Sequence, residues 1–558
     1  MCGIFGVISQ NAYDKVFNGL KLLQYRGYDS CGIAYFKDGF KIEKAVGSLE
    51  KLKQIDIKNE IAFGHTRWAT NGVVNIENAH PHVSYDNKYF LVHNGIIKNA
   101  EEIKQTLISE GVNFYSSTDT EVIANYIAYN CKDKVLGKVL PRLFDDLEGS
   151  FSLIVGNNVG ELYLIKKFSP LNVLIADDGI YISSDISSLK DGKLYSLKDN
   201  DILKVTKDKV EKLNGDIIEF IDHKNTFKSL SLKNHSYFME KEIFETPQAI
   251  KNTFYSIKDI PIREIFAKYE KLTLIGCGTA YNSCLVGEYL FKNELEKDVE
   301  TILASNYNVK SKIKNNHLHI IVSQSGETAD CIKVAEQVKH YDGKILIITN
   351  ERLSTIAKMA DYHIFTDAEK EIAVASTKTY SCQLFIFAYV CHILKDINYQ
   401  IDIDQFCKDL DEYITTINID DVANRLQNID RIIMIAKDID YITLLEASLK
   451  IREIDYVFTL PMYSGELKHG TLSLIEKGRV VLTLDTEQSN KLQNAINEVE
   501  SRHGEVLDIS KYIPNDVDSY FKPIYSVVPF QLLSYKISVL NGRNPDMPRN
   551  LAKSVTVE

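Results

Sequence analysis

Short apolar runs, broken by Gly and Asn, mark the first part of the chain to about residue 220. CGIFGVI (2–8), IAFGHTRW (61–68), YFLVHNG (89–95) and SFSLIVG (150–156) have strand length and strand composition. Few helical stretches separate them, so they predict an α+β sandwich more than a doubly wound sheet. Residues 221–249 are polar and charged and read as a linker ending in an amphipathic helix. From about residue 250 the pattern changes. LTLIG (272–276), HIIVS (319–323), KILIIT (344–349), YHIFT (362–366), RIIMIA (431–436) and RVVLTL (479–484) alternate with stretches of helical periodicity. Continuous apolar strands between helices are the pattern of parallel sheets in α/β layers.

This second half reads as internally duplicated. LTLIGCGTAYNSCLVGEYL (272–290) matches IIMIAKDIDYITLLEASLK (432–450) as strand, loop and helix. HIIVSQSGETADCIKVAEQV (319–338) matches RVVLTLDTEQSNKLQNAINEV (479–499), and STKTYSCQLFIFAYVCHIL (376–394) resembles SVVPFQLLSYKISVLNG (526–542). Three weak matches in the same order are better evidence than any one. Only the first copy keeps small, hydroxyl-rich loops after its strands. One copy would then bind phosphate while the other supplies different chemistry or scaffolding.

Length agrees with several domains, since 558 residues exceed one hydrophobic core. The expected division is 2–220, the linker 221–249, 250–400, 418–548 and a tail 549–558. Apolar residues at 45% and charged residues at 25% are ordinary for a soluble globular chain. A net charge of −11 argues against general nucleic-acid binding, so an anionic ligand needs a local site. No apolar stretch reaches the roughly 18 residues of a membrane span. The N-terminus lacks the basic region of a signal peptide. The nine cysteines include no CxxC pair, which fits reduced thiols in a cytoplasm better than disulfides or a zinc site.

Cys2 follows the initiator Met. Removal of Met1 would leave an α-amine with a pKa of roughly 7.7–8.0 as general base for the thiol of its own residue. The alternative is a buried structural Cys. HTRWAT (65–70) offers Arg67, whose fork suits a carboxylate. HNG (93–95) offers an amide side chain and a Gly N–H, the donor types of an oxyanion hole. STDTE (117–121) offers Asp119 for an ammonium. Each has a structural alternative, a hairpin turn or a helix N-cap. Together, one anion clamp, one cation clamp and one oxyanion hole match glutamine.

In the second half, IGCGTAY (275–281) and IVSQSGETAD (321–330) each follow a strand and precede a helix. Such loops offer backbone N–H and hydroxyl donors to a phosphate. They fit neither the Walker motif nor a dinucleotide fingerprint, so a monophosphate is the expected ligand. LLEASLKIREI (444–454) puts Glu446, Lys450 and Glu453 on one helical face, either as a functional cluster or as a salt-bridged surface stripe. GELKHG (465–470) carries His469 in a loop, and the polar tail PRNLAKSVTVE (548–558) carries Lys553.

CGIFGVI, YRGYDS (25–30), HTRWAT, NAHPH (78–82), HNG and STDTE resemble the class II glutamine amidotransferases, the N-terminal-nucleophile group. That resemblance implies a four-layer αββα fold with Cys2 as nucleophile. It implies Arg67, Thr70, Gly95 and Asp119 around glutamine, Asn94 and Gly95 as the oxyanion hole, and Trp68, the one Trp in the chain, gating ammonia. An ordinary half-buried aromatic is the alternative for Trp68.

SQSGETAD, EIAVASTK (371–378), GELKHG and PRNLAKSVTVE behind such a domain are similar to the glutamine–fructose-6-phosphate aminotransferase (isomerising) family, over nearly the whole chain. The resemblance implies two flavodoxin-like sugar isomerase domains. It puts Ser323, Gln324, Ser325 and Thr328 on the sugar phosphate and Thr279, Val374, Ser376 and Ala552 along the sugar. Lys553 would form a Schiff base, Glu453 with Lys450 beside it would move a proton between C1 and C2, and His469 would open the ring across a homodimer interface. No cofactor and no metal are implied. Asn71, Ala280 and Thr471 depart from the family's usual His, Ser and Pro. Three competing readings stay open: an amidotransferase with another ammonia acceptor, a non-catalytic sugar-phosphate sensor, and a fructosamine-phosphate deglycase.

Overall fold

The computed structural model describes residues 2–69, 72–132, 134–225, 231–295, 297–308, 316–396, 398–487 and 489–555. They form two compact units, one from residues up to 225 joined by the tail residues 552–555, the other from 231–551.

The first unit has two antiparallel sheets. Eight strands run in the order Ile221–His223, Gly192–Ser196, Asn172–Ala176, Gly179–Ser183, Gly3–Ile8, Ile61–Arg67, Ser30–Phe36 and Phe40–Val46. Six more form the second sheet, with Tyr89–Ile97 and Gly149–Asn157 side by side in it. Side-chain alternation dictates the layering. In Gly3–Ile8, Ile4 and Ile8 face the second sheet, packing with Val92, Ile154 and Leu164. Phe5 and Val7 point the other way, under the helix Ala12–Leu23 and its buried Val16, Phe17 and Leu20. The far face of the second sheet, Leu91, Leu153 and Val155, is covered by Leu107, Ile123 and Ile127 from the helices Ala100–Ser109 and Asp119–Asn130. This is the αββα sandwich.

The second unit holds two parallel sheets. Asp298–Leu303, Lys271–Gly276, His317–Val322, Lys344–Thr349 and Tyr362–Phe365 lie in that order, which is 2-1-3-4-5 along the chain. Phe458–Tyr463, Arg431–Ala436, Val480–Leu484 and Glu505–Asp508 repeat the order 2-1-3-4. The three sequence matches fall on equivalent elements, ending in the long helices Lys378–Lys395 and Lys522–Leu540. These are two flavodoxin-like layers. The first helix of each copy, Thr279–Leu295 and Asp438–Asp455, pack on each other.

The linker expected at 221–249 is largely not one. Ile221–His223 pairs with Gly192–Ser196 in the first unit. Phe238–Phe244 and Thr246–Ile257 are helices of the second unit that bury Met239, Ile243, Ala249 and Ile250. The charges that suggest solvent are engaged: Glu242 is buried and accepts the Ile372 N–H at 2.5 Å. Among the described residues, no helix is long and apolar enough to cross a membrane.

Candidate active sites

Strand register builds the first site. Gly3 pairs with Thr66, so the chain just before one strand meets the chain just after the other. Cys2 Sγ therefore lies 3.3 Å from the Trp68 N–H that donates to it and 3.4 Å from the Trp68 carbonyl. Burial pushes the Cys2 thiol up, opposed by that N–H and by the Arg67 guanidinium. Arg67 closes its strand, is buried, and donates to the Gly72 carbonyl at 3.4 Å. Burial lowers its pKa, while Cys2, Asp29 and Asp119 act to hold the guanidinium charged. Arg67 thus lies at the Cys2 end of the sheet, with Asp119 near enough to act on its charge.

Asn94 lies in the neighbouring sheet. Its Nδ2 donates to the Cys2 carbonyl at 3.1 Å, and its Oδ1 sits 3.0 Å from His65 Nε2. Gly95 has φ +138°, and a Cβ there would lie 1.9 Å from the Ser150 carbonyl oxygen, so only glycine fits. Asp119 opens its helix, where Thr118 is the N-cap, accepting from the Glu121 N–H. Asp119 Oδ2 accepts from the Ile97 N–H at 3.0 Å, just past Gly95. The motif STDTE is therefore both a helix cap and a carboxylate supplier. Trp68 is half-buried. Thr70 and Asn71 lie outside the described residues.

The second site forms where adjacent strands send their helices to opposite faces. Thr279–Leu295, after Lys271–Gly276, packs with Phe291 and Leu290 on one face; Ala329–His340, after His317–Val322, packs with Val334 and Val338 on the other. A crevice opens between such diverging loops at the strand ends, with both helix N-termini toward it. In the second loop Ser323 Oγ and Thr328 Oγ1 are 2.9 Å apart, and Ser323 Oγ accepts from the Gly326 N–H at 3.1 Å. Ser325 Oγ accepts the Glu327 N–H at 3.2 Å, and Gln324 gives its carbonyl to Asn350 N at 3.0 Å. Ser376 Oγ donates to Glu371 Oε2 at 2.9 Å, and Val374 N donates to the Asp546 carbonyl at 3.0 Å.

The 446/450/453 face is no surface stripe. Glu446 is 0% and Lys450 1% exposed. Lys450 Nζ bonds Glu453 Oε1, lies 3.2 Å from Glu446 Oε1, and donates to Thr279 Oγ1 at 3.0 Å. Thr279 Oγ1 and Asn282 Nδ2 both donate to Glu446, at 3.0 and 2.7 Å. Burial alone would lower the Lys450 ammonium, but the two carboxylates hold it above its ordinary range. Burial raises Glu446 against the pull of Lys450.

Three further predicted residues lie in a turn and in the tail. His469 is exposed, at the end of the 3-10 turn Ser464–His469. Ala552 and Lys553 are half-buried and group with the first unit. Sequence reasoning missed Asn282, Glu371 and His65. The last was visible as the first letter of HTRWAT, but only the cross-sheet contact gives it a partner.

The glutamine amidotransferase domain model matches residues 65–191, and the SIS domain model matches 265–392 and again 425–533. The chain is thus a glutamine amidotransferase domain followed by two sugar isomerase domains. It is 36% identical over 618 residues to a glutamine–fructose-6-phosphate aminotransferase (isomerizing) of Caldanaerobacter subterraneus, with all of both chains covered. It is 36% identical over 612 residues to the enzyme of that name from Pyrococcus horikoshii, again with full coverage. The C-terminal domain of glucosamine-fructose-6-phosphate aminotransferase from Francisella tularensis superposes with TM-score 0.50 at 26% identity, covering 57% of this chain and 100% of that one. The chain belongs to the glutamine–fructose-6-phosphate aminotransferase (isomerizing) family.

Proposed function

We propose that this chain converts fructose 6-phosphate and glutamine to glucosamine 6-phosphate and glutamate, the first committed step of amino-sugar synthesis. The observation that carries the reading is the buried Glu446–Lys450–Glu453 face, hydrogen-bonded to Thr279 at the start of the helix that follows the first isomerase strand, in a chain that also brings Arg67 and Asn94 to Cys2.

With Met1 removed, the α-amine of Cys2 takes the thiol proton as the sulfur attacks the glutamine carboxamide. Arg67 and Thr70 hold the substrate carboxylate end, Asp119 its ammonium, and Asn94 and Gly95 stabilise the oxyanion. Trp68 lies on the way out for ammonia. At the second site Ser323, Gln324, Ser325 and Thr328 hold the phosphate, and Thr279, Val374, Ser376 and Ala552 line the sugar. His469 opens the ring across a homodimer interface, and Lys553 forms a Schiff base with the C2 carbonyl. Once ammonia displaces it, Glu453, kept in place by Lys450, carries a proton from C1 to C2. No cofactor is required, and the assignment is to the cytoplasm.

Incubation with both substrates is expected to give glucosamine 6-phosphate. Absence of that product, with both present, sinks the reading. Borohydride added with fructose 6-phosphate is expected to fix the sugar on Lys553, read by peptide mass.

A further inference from the structure

His65 lies on the Ile61–Arg67 strand, between Ile4 and Gly32 of its neighbours, and is 0% exposed. By alternation it shares the inter-sheet face with Phe63, while Asn94 shares the opposing face with Phe90 and Val92. Two buried polar side chains thus meet beside the apolar residues of this layer, where an unmade hydrogen bond is costly. His65 Nε2 is 3.0 Å from both the His93 carbonyl oxygen and Asn94 Oδ1.

The proton positions follow by elimination. The Cys2 carbonyl only accepts, so the end of the Asn94 amide that faces it at 3.1 Å is Nδ2. Oδ1 then faces His65, and the His93 carbonyl also only accepts, so Nε2 carries the imidazole proton. A flipped amide would set oxygen against oxygen at Cys2. The ring lies against that of His80, with centroids 4.0 Å apart and planes inclined by 31°. Burial holds its pKa down to about 3, so it stays neutral and the tautomer persists.

We infer that His65 is a positioning residue of the glutaminase site: its Nε2–H locks the Asn94 carboxamide so that one amide proton bonds the Cys2 carbonyl and the other is aimed at the oxyanion formed on glutamine. The inference rests on the glutaminase reading above. Among the described residues, His65 acts on the site through its bond to Asn94 Oδ1.

The test is a double-mutant cycle in the full chain, reading glutamate release. His65→Leu is expected to lower kcat by about 30-fold or more with the KM for glutamine within about threefold, because an oxyanion donor is worth about 10²–10³ in kcat. His65→Gln, whose Nε2–H can reach the same acceptor, is expected to recover kcat to within about fivefold of the unmodified chain. In an Asn94→Ala background, His65→Leu is expected to cost less than about twofold more. The inference is overturned if His65→Leu is as active as the unmodified chain. It is also overturned if Gln restores no more than Leu, or if Leu costs the same factor without Asn94, as a packing role would. Should His65→Leu lack a cooperative melt, His65→Met, flexible and of similar volume, takes its place in the cycle. An unmodified chain that releases no glutamate brings down the functional reading itself; an active chain indifferent to His65→Leu brings down only this inference.

Discussion

Lys450 Nζ lies 3.2 Å from Glu446 Oε1, with neither side chain more than 1% exposed. Two charges so far from water are tolerated only because each completes the other. Lys450→Met would leave Glu446 a buried, uncompensated carboxylate. It is expected to lower the unfolding free energy of the second unit by about 3–5 kcal/mol and to abolish turnover of fructose 6-phosphate. The double variant Lys450→Met with Glu446→Leu is expected to regain most of the stability but none of the turnover. Denaturant unfolding and a sugar-phosphate assay, run on the same samples, separate the two effects.

Gly326 has φ +60°, and a Cβ there would lie 2.1 Å from Ser354 Oγ. Gly326→Ala is therefore expected to push the loop holding Ser323, Ser325 and Thr328 off its position. The KM for fructose 6-phosphate should rise on the order of tenfold, as a strained left-handed residue costs about 1–2 kcal/mol before the clash is counted. Glutamate release measured without sugar should be unchanged. An unaltered KM would show that this loop does not grip the substrate.

Acid should unfold the first unit before it unfolds the second. Burial keeps His65 at about 3, and His80 and His82 well below the ordinary imidazole range. An unfolded imidazole, near 6.5, takes up a proton that the folded ring refuses. Stability is thus fully present above about pH 6.5 and is lost as pH falls toward 3. The opposite sign applies to Asp440 in the second unit, which burial raises to about 6. The folded state there takes the proton first, so that group favours folding as pH drops from about 6 toward 4. Urea midpoints for the two units, followed from pH 7 to 4.5, are expected to diverge. Parallel midpoints would contradict the buried-imidazole account.

The layers were legible because alternation and apolar runs are local. CGIFGVI and HTRW show their sheet faces within a few residues, and LTLIG and HIIVS show strands covered on both sides. The 446/450/453 spacing was legible too, but not its burial: the same spacing serves a solvated stripe, and what hides it is the helix Thr279–Leu295, some 160 residues earlier. Glu240, Lys241, Glu242 and Glu245 look like linker charge. For two of them the partner lies over a hundred residues on: the Ile372 N–H for Glu242 and buried Lys378, 2.9 Å from Glu245. His65 and Asn94 meet across two sheets, a relation that no single stretch of sequence encodes.

The Thr279 and Asn282 bonds to Glu446 tie the opening turn of one isomerase copy to the middle of the corresponding helix in the other. Sliding one copy past the other by even a bond length would strand a buried ammonium and a buried carboxylate at once. The two repeats are therefore coupled through this buried network. Entry of sugar and exit of product call for motion in segments that the charge network does not bolt down.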